Sequence, residues 1–175
     1  MELMDAILNR RSVRKYNDED IPEEKIKQIL KAGLLAPTSM NRKPCEFVVV
    51  RDKETLGKLA KAKKAAAGML AECNTAIVVL GNCEKADTWI EYSSIALSYM
   101  NLMAAGLGVG SCWCQIHLRS SLTGKDAEEN VREILSLPEK YRIVGILSLG
   151  IPAGETKPHT LEEADFAKVH GWYAE

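Results

Sequence analysis

The sequence has no surplus of charge of either sign: 23 Lys and Arg stand against 24 Asp and Glu, a formal net charge of -1. Nucleic-acid binding draws on a basic excess, so this balance removes the usual electrostatic case for such a partner. Cysteine is sparse and shows no pairing pattern. Cys45, Cys73, Cys83, Cys112 and Cys114 are odd in number and form no CxxC. Neither a disulfide framework nor a zinc ribbon is indicated, and reduced thiols in a cytoplasmic protein are the expectation. The first residues include Glu2 and Asp5, where a signal peptide would be basic and then apolar. The longest apolar-rich run, Ile95 to Val109, carries Ser98 and Asn101 and is shorter than the roughly 20 residues of a membrane span. Repeats and low-complexity tracts are absent. So is a dinucleotide fingerprint, because Gly106-Leu-Gly-Val-Gly110 follows a helical pattern where that motif follows a strand and opens a helix.

What remains is 175 residues with 46% hydrophobic content, enough for one well-buried core, and residues 1–175 are expected to form a single domain. A short helix, Met4 to Asn9, with Leu3, Ile7 and Leu8 on one side, delivers the basic run Arg10-Arg-Ser-Val-Arg-Lys-Tyr16. Guanidinium is always charged and offers paired donors, so such a cluster suits a phosphate and a delocalised anion beside it. Asp20-Ile-Pro-Glu23 reads as a capping box with Pro22 in the first turn. The helix that follows shows the stripe Ile26, Ile29, Leu30, Leu34 and stops at Pro37. Ala36 to Pro44 is a proline-bounded loop. Phe47 to Arg51 predicts a strand, and Asp52 caps a lysine-rich helix running to about Met69, with Lys53, Lys58, Lys61, Lys63 and Lys64 as a solvated face.

Thr75 to Gly81 is continuously apolar and β-branched, which predicts a strand covered on both faces at the sheet centre. Asp87 to Leu107 is the longest helical pattern, and its apolar residues surround it. A helix apolar all round must be buried all round, so a homodimer packed through it is expected. The glycines after it stop the helix and lead into a strand, Ser111 to Gln115. A helix from Asp126 to Leu135, a strand from Ile143 to Leu149, a loop through His159, a short acidic helix near Leu161 to Lys168 and an aromatic tail, Trp172-Tyr173, complete the chain. Cys112 and Cys114, alternate residues of one strand, point the same way and make a strained pair, so packing or cofactor lining is the reading for them. His117, His170, Trp89 and Tyr92 read as structural.

Five ordered segments resemble the FMN-dependent nitroreductase family: Arg10-Arg-Ser-Val-Arg14; Ala36-Pro-Thr-Ser-Met-Asn41 with Pro44 and Phe47; Gly106-Leu-Gly108 through Trp113; Leu137-Pro-Glu-Lys-Tyr141 through Gly150-Ile-Pro152; and Lys157-Pro-His159. The resemblance implies an α+β three-layer sandwich with a central, mostly antiparallel sheet flanked by helices. It also implies an intertwined homodimer with FMN at the subunit interface and no membrane partner. Arg10, Ser12 and Arg11 would bind the phosphate and ribityl chain, completed by Lys157 and His159. Arg14 would lie against the flavin pyrimidine as an electrostatic residue. Pro37, Thr38, Ser39 and Asn41 would reach the flavin from the partner, and the backbone around Cys112, Trp113 and Cys114 would lie near the ring.

By the same resemblance the protein is an NAD(P)H-dependent oxidoreductase. It would use NADH or NADPH as donor and reduce a nitroaromatic, quinone or similar electrophilic acceptor by a ping-pong cycle, with no catalytic side chain beyond the cofactor. The other reading is a flavin carrier, a flavin-cleaving relative or a redox sensor without nitroreductase turnover. Three departures from the family pattern bear on the pocket: Lys43 stands where Gln is frequent, Cys45 where Trp is usual, and His159 where Arg is common. The chain is also short for the family, which implies a more open flavin face.

Overall fold

The computed structural model describes residues 2–170, so Trp172 and Tyr173 lie outside the described residues. In chain order the elements are α1 (Leu3–Asn9), α2 (Glu23–Leu34), β1 (Cys45–Val50), α3 (Lys53–Ala60), α4 (Met69–Glu72), β2 (Thr75–Asn82), α5 (Trp89–Gly106), β3 (Gly110–Gln115), α6 (Ala127–Leu135) and β4 (Tyr141–Gly150). Two 3-10 turns, Ser39–Asn41 and Glu163–Lys168, sit in the loops. The strands form one sheet in the order β1-β2-β4-β3 with every neighbour antiparallel.

The continuously apolar run does occupy the centre, and every residue of β2 is buried. Its side chains alternate between two cores, as a period of two requires. Ala76, Val78 and Leu80 face Leu56, Leu59, Leu70 and Val131 of the α3/α4/α6 layer. Ile77 and Val79 face Ile26, Ile29, Leu97 and Met100 of the α2/α5 layer. The strand is therefore covered twice, and the molecule is a helix–sheet–helix sandwich. Along β4 the alternation slips once. Val78 pairs with Ile146 and Leu80 with Ile143, so β4 takes three steps where β2 takes two, and the extra residue puts Ile143 and Ile146 in the same core.

Three local expectations are corrected. Asp20 does not cap α2, whose N-cap, Pro22, has no side-chain bond; Asp20 pairs instead with Arg51 at 3.5 Å. The lysine-rich helix ends at Ala60, well short of Met69. Ala66 adopts φ +54, a left-handed conformation no helix continues through, and Ala62 and Ala67 turn into the core. Nor are its lysines all solvated, since Lys53 donates to the Cys73 carbonyl at 2.9 Å and Lys63 to the Gln115 carbonyl at 3.0 Å. Asp52 does cap α3, accepting from the Thr55 N–H at 2.7 Å.

Helix α5 buries Ser93, Ala96, Leu97, Met100 and Ala104, while Tyr99 is 44% and Met103 38% exposed. Beside them lie Leu3 (69% exposed) and Ile7 (42%) of α1. Together with Ala32 and Leu102 these residues line an apolar groove of about 490 Å³. This leaves a contiguous apolar patch on the outer face of α5 and α1. Gly108, at φ +70, ends the helix as a residue free of the Cβ penalty. Among the described residues no helix is long and apolar enough to cross a membrane.

Candidate functional site

The basic run leaves α1 and lies along the free edge of β3. Ser12 makes a parallel bridge to Ser111, and the Val13 N–H donates to the Ser111 carbonyl at 2.9 Å. Tyr16 fastens the run from beneath. Its hydroxyl donates to the Val13 carbonyl at 2.7 Å and meets Ser148 Oγ at 2.8 Å. Ser148 in turn donates to the Cys112 carbonyl at 3.2 Å. Burial pushes the Tyr16 phenol well above its ordinary range, with the Ser148 bond pulling the other way, so it stays a protonated donor. The ring fits because position 150 is glycine: a Cβ there would stand 2.5 Å from Tyr16 Cδ1.

The loop after β4 returns to the same place. The His159 N–H donates to the Leu8 carbonyl at 2.7 Å, Arg11 donates to the Lys157 carbonyl at 3.0 Å, and Arg10 Nη2 lies 3.4 Å from His159 Nε2. An arginine only donates, so this imidazole nitrogen is the acceptor. Arg10 and Arg11 thus meet His159 and the Lys157 backbone, 146 or more positions further along the chain, beside the start of β3, with Ser12 next to them. Arg14 turns back on the Ser12 carbonyl at 3.3 Å. Three cations, an imidazole and a hydroxyl on an exposed edge form a donor set that fits a phosphate dianion.

Cys112 and Cys114 are each 1% exposed and face the α3/α4/α6 core, whereas Trp113 packs on the opposite core with its indole N–H on Gln115 Oε1 at 2.9 Å. Burial pushes the Cys114 thiol up to about 11. The Cys112 thiol is also raised by burial, against the pull of Arg14 and Ser12. Thiols so held are poor nucleophiles, which agrees with a packing role. Toward the basic run the strand presents its edge backbone and the Cys112 thiol, which Ser12 meets.

The Pro37–Asn41 loop is elsewhere in the chain. The Ser39 N–H donates to the Tyr92 hydroxyl at 3.1 Å, and Arg42 lies 3.9 Å from Asp87, both at the start of α5. The basic run packs at the other end, where Gly106 faces Ala6. Tyr92 and Gly106 are 14 positions apart on α5, a separation of about 21 Å along its axis. Met40, Asn41 and Lys43 all hold positive φ (53°, 53° and 44°). The loop is thus fixed in a strained form, as ligand-contacting segments often are.

Sequence reasoning missed a buried network at that same end. Glu128, 2% exposed, accepts from Arg142 Nε at 2.8 Å and Nη2 at 3.0 Å, from His117 Nδ1 at 2.5 Å and from the Ile143 N–H at 3.0 Å. Trp89 stacks edge-on to His117 with centroids 5.2 Å apart and lies 5.0 Å beneath Arg142. Burial alone would raise the Glu128 carboxyl, but the Arg142, His117 and Ile143 bonds outweigh it and hold the group below the usual range. His117 and Trp89 are structural, as expected. Glu128 carries no sequence signal beyond an acidic first turn.

A four-stranded antiparallel sheet between two helical layers, with a cluster of basic residues along one edge, defines an α+β sandwich. The comparisons narrow it. The model of the Nitroreductase family matches residues 7–91 and 60–151, and the chain belongs to that family. It superposes on an FMN-dependent nitroreductase from Clostridium difficile R20291 with a TM-score of 0.91 and 40% identity, over 98% of this chain and 99% of that one. A protein of Archaeoglobus fulgidus with the provisional name NADH dehydrogenase/NAD(P)H nitroreductase is 36% identical over 158 residues, 88% of this chain and 87% of its own. An NADH dehydrogenase of Thermus thermophilus is 29% identical over 190 residues, covering 87% and 88%.

Proposed function

We propose that the protein is an FMN-dependent oxidoreductase that uses NAD(P)H to reduce nitroaromatic, quinone or similar electrophilic acceptors in the cytoplasm, by a ping-pong cycle. The observation that carries the reading is the meeting of Arg10 and Arg11 with His159 and the Lys157 backbone at the edge of β3. FMN, when bound, supplies the two-electron chemistry. The chain's own residues bind and orient it. Arg10, Arg11, Ser12, Lys157 and His159 offset the desolvation of the phosphate with charge-assisted bonds. Arg14, which donates to the Ser12 carbonyl, would supply a cation against the pyrimidine edge of the bound flavin. The free edge of β3 around Cys112, Trp113 and Cys114 would lie near the ring, where the alternation of the ladder turns the backbone groups of Trp113 outward and those of Cys112 and Cys114 to β4.

The second half of the site comes from another copy. Within one chain, Pro37, Thr38, Ser39 and Asn41 sit at the opposite end of α5 from the basic run, too far to share one ligand with it. Pairing two copies through the exposed face of α5 and α1 covers the apolar groove and brings one chain's loop toward the other's phosphate site. The test is steady-state turnover of the FMN-loaded protein with a nitroaromatic and a quinone. Acceptor-dependent NAD(P)H consumption with parallel double-reciprocal lines is expected. Tightly bound flavin with negligible acceptor-dependent turnover would contradict the enzyme reading and favour a carrier or sensor.

A further inference from the structure

Beyond the far end of β3, the loops at residues 61–68 and 118–125 enclose a cleft of about 350 Å³ lined by Lys63, Lys64, Ala66, Leu118, Arg119 and Ser120, among others. The two loops are tied together by the Lys64 N–H on the Ser120 carbonyl at 2.9 Å. They are tied to the strand by Lys63 on the Gln115 carbonyl. Ala66 and Leu118 face this cleft with φ of +54° and +57°, and Leu118 is 77% exposed. The exposed Leu118, held in the left-handed region, marks a shape that its own burial does not account for. The lining has three cations and no carboxylate. Among the described residues neither Lys64 nor Arg119 has an ion pair, and the Arg119 guanidinium bonds only its neighbouring Leu118 carbonyl, at 2.9 Å.

We propose that this cleft binds the 2′-phosphate of NADPH and makes NADPH the preferred electron donor. The proposal rests on the reading of the chain as an NAD(P)H-dependent flavin oxidoreductase. From Ser111, beside the Arg10 cluster, to Gln115, beside Lys63, β3 runs about 14 Å. The cleft is therefore a second anion site, separate from the first and on the same edge. A terminal phosphomonoester carries nearly two charges at neutral pH and three acceptor oxygens. A pyrophosphate diester carries one charge per phosphorus. Lys64 and Arg119 match the former, with the planar guanidinium of Arg119 giving paired donors, the exposed Leu118 an apolar face for a base, and Lys63 adding charge from its place on the Gln115 carbonyl.

The test is calorimetric titration of the FMN-saturated protein with NADP+ and, in parallel, NAD+, which differ only in the 2′-phosphomonoester. NADP+ is expected to bind at least about tenfold more tightly, and Arg119→Ala or Lys64→Ala to weaken it about tenfold each, with NAD+ unaffected. Both variants keep the backbone bonds that hold the loops. Equal binding of the two nucleotides would overturn the proposal, as would loss of NADP+ binding in Arg10→Ala but not in Arg119→Ala. In turnover, the NADPH-to-NADH ratio of kcat/KM falls about tenfold in Arg119→Ala while the NADH value holds; an unchanged ratio would overturn it. If neither nucleotide reduces the flavin, the proposed function has failed, and the calorimetry still decides whether the cleft reads the phosphate.

Discussion

Tyr16 is the link between the sheet and the phosphate segment, and Tyr16→Phe isolates that link. The variant keeps the ring against Gly150 and removes one hydroxyl. Lost with it are the 2.7 Å bond to the Val13 carbonyl and the 2.8 Å contact with Ser148. At about 1 kcal/mol for each intramolecular bond, the expected destabilisation is about 1–2 kcal/mol. For a chain of this size that lowers Tm by about 3–6 °C. The same loss frees the Val13 carbonyl and loosens Ser12 and Arg14 on either side of it. Part of the anchoring must then be supplied by the ligand, and FMN affinity is expected to fall about three- to tenfold. Because burial holds the phenol protonated, both effects should be flat between pH 6 and 9. Thermal denaturation and fluorimetric titration of FMN measure the two quantities. A lower Tm with unchanged FMN affinity would refute the claim that Tyr16 positions the binding segment; no change in either would refute the bonds themselves.

Three further outcomes follow from the geometry. Arg14→Ala should slow flavin reduction about tenfold while weakening FMN binding less, and unchanged stopped-flow kinetics would remove Arg14 from its role. The Glu128 carboxyl, held below its ordinary value when folded, contributes stability that is complete above the unfolded-state value near 4.3 and is lost as pH falls through the lower folded value. Glu128→Gln should therefore cost about 2–3 kcal/mol at pH 7, less than a wholly buried pair because the Arg142 side chain is 37% exposed. Its loss on acidification to pH 4 should be smaller than that of wild type, which urea denaturation at the two pH values would show. Met103→Asp, on the exposed face of α5, should yield monomers in sedimentation velocity where wild type sediments as a dimer; wild type sedimenting as a monomer at micromolar concentration would contradict the dimer.

The legible parts of the chain were those whose local pattern and tertiary role coincide. The run at β2 is apolar because both faces are covered, and the cluster at Arg10–Arg14 stays polar because it follows the free edge of β3. Where a residue's role depends on register between distant elements, sequence gave no warning. Ala60 to Ala67 reads as good helix, yet Ala66 turns left-handed so that Ala62 and Ala67 can fill the core and Lys63 can reach Gln115. Glu128 looks like any acidic first-turn residue until β4 carries Arg142 and the end of β3 carries His117 onto it. Asp20 sits at a capping position, but Arg51 at the end of β1 draws it away. The candidate site falls between these cases: its members were identifiable one by one, while the distance between the Pro37–Asn41 loop and the basic run emerged only with α5 in place.

The central claim is that the β3 edge holds FMN and exposes it to a nicotinamide donor. Visible spectra of the protein titrated with FMN, then mixed anaerobically with NADPH and NADH, test it most directly. Near-stoichiometric binding, weakened by Arg10→Ala, and bleaching of the bound flavin by the donor are predicted. A flavin that does not bind, or that binds and stays oxidised with both nucleotides, would contradict the account.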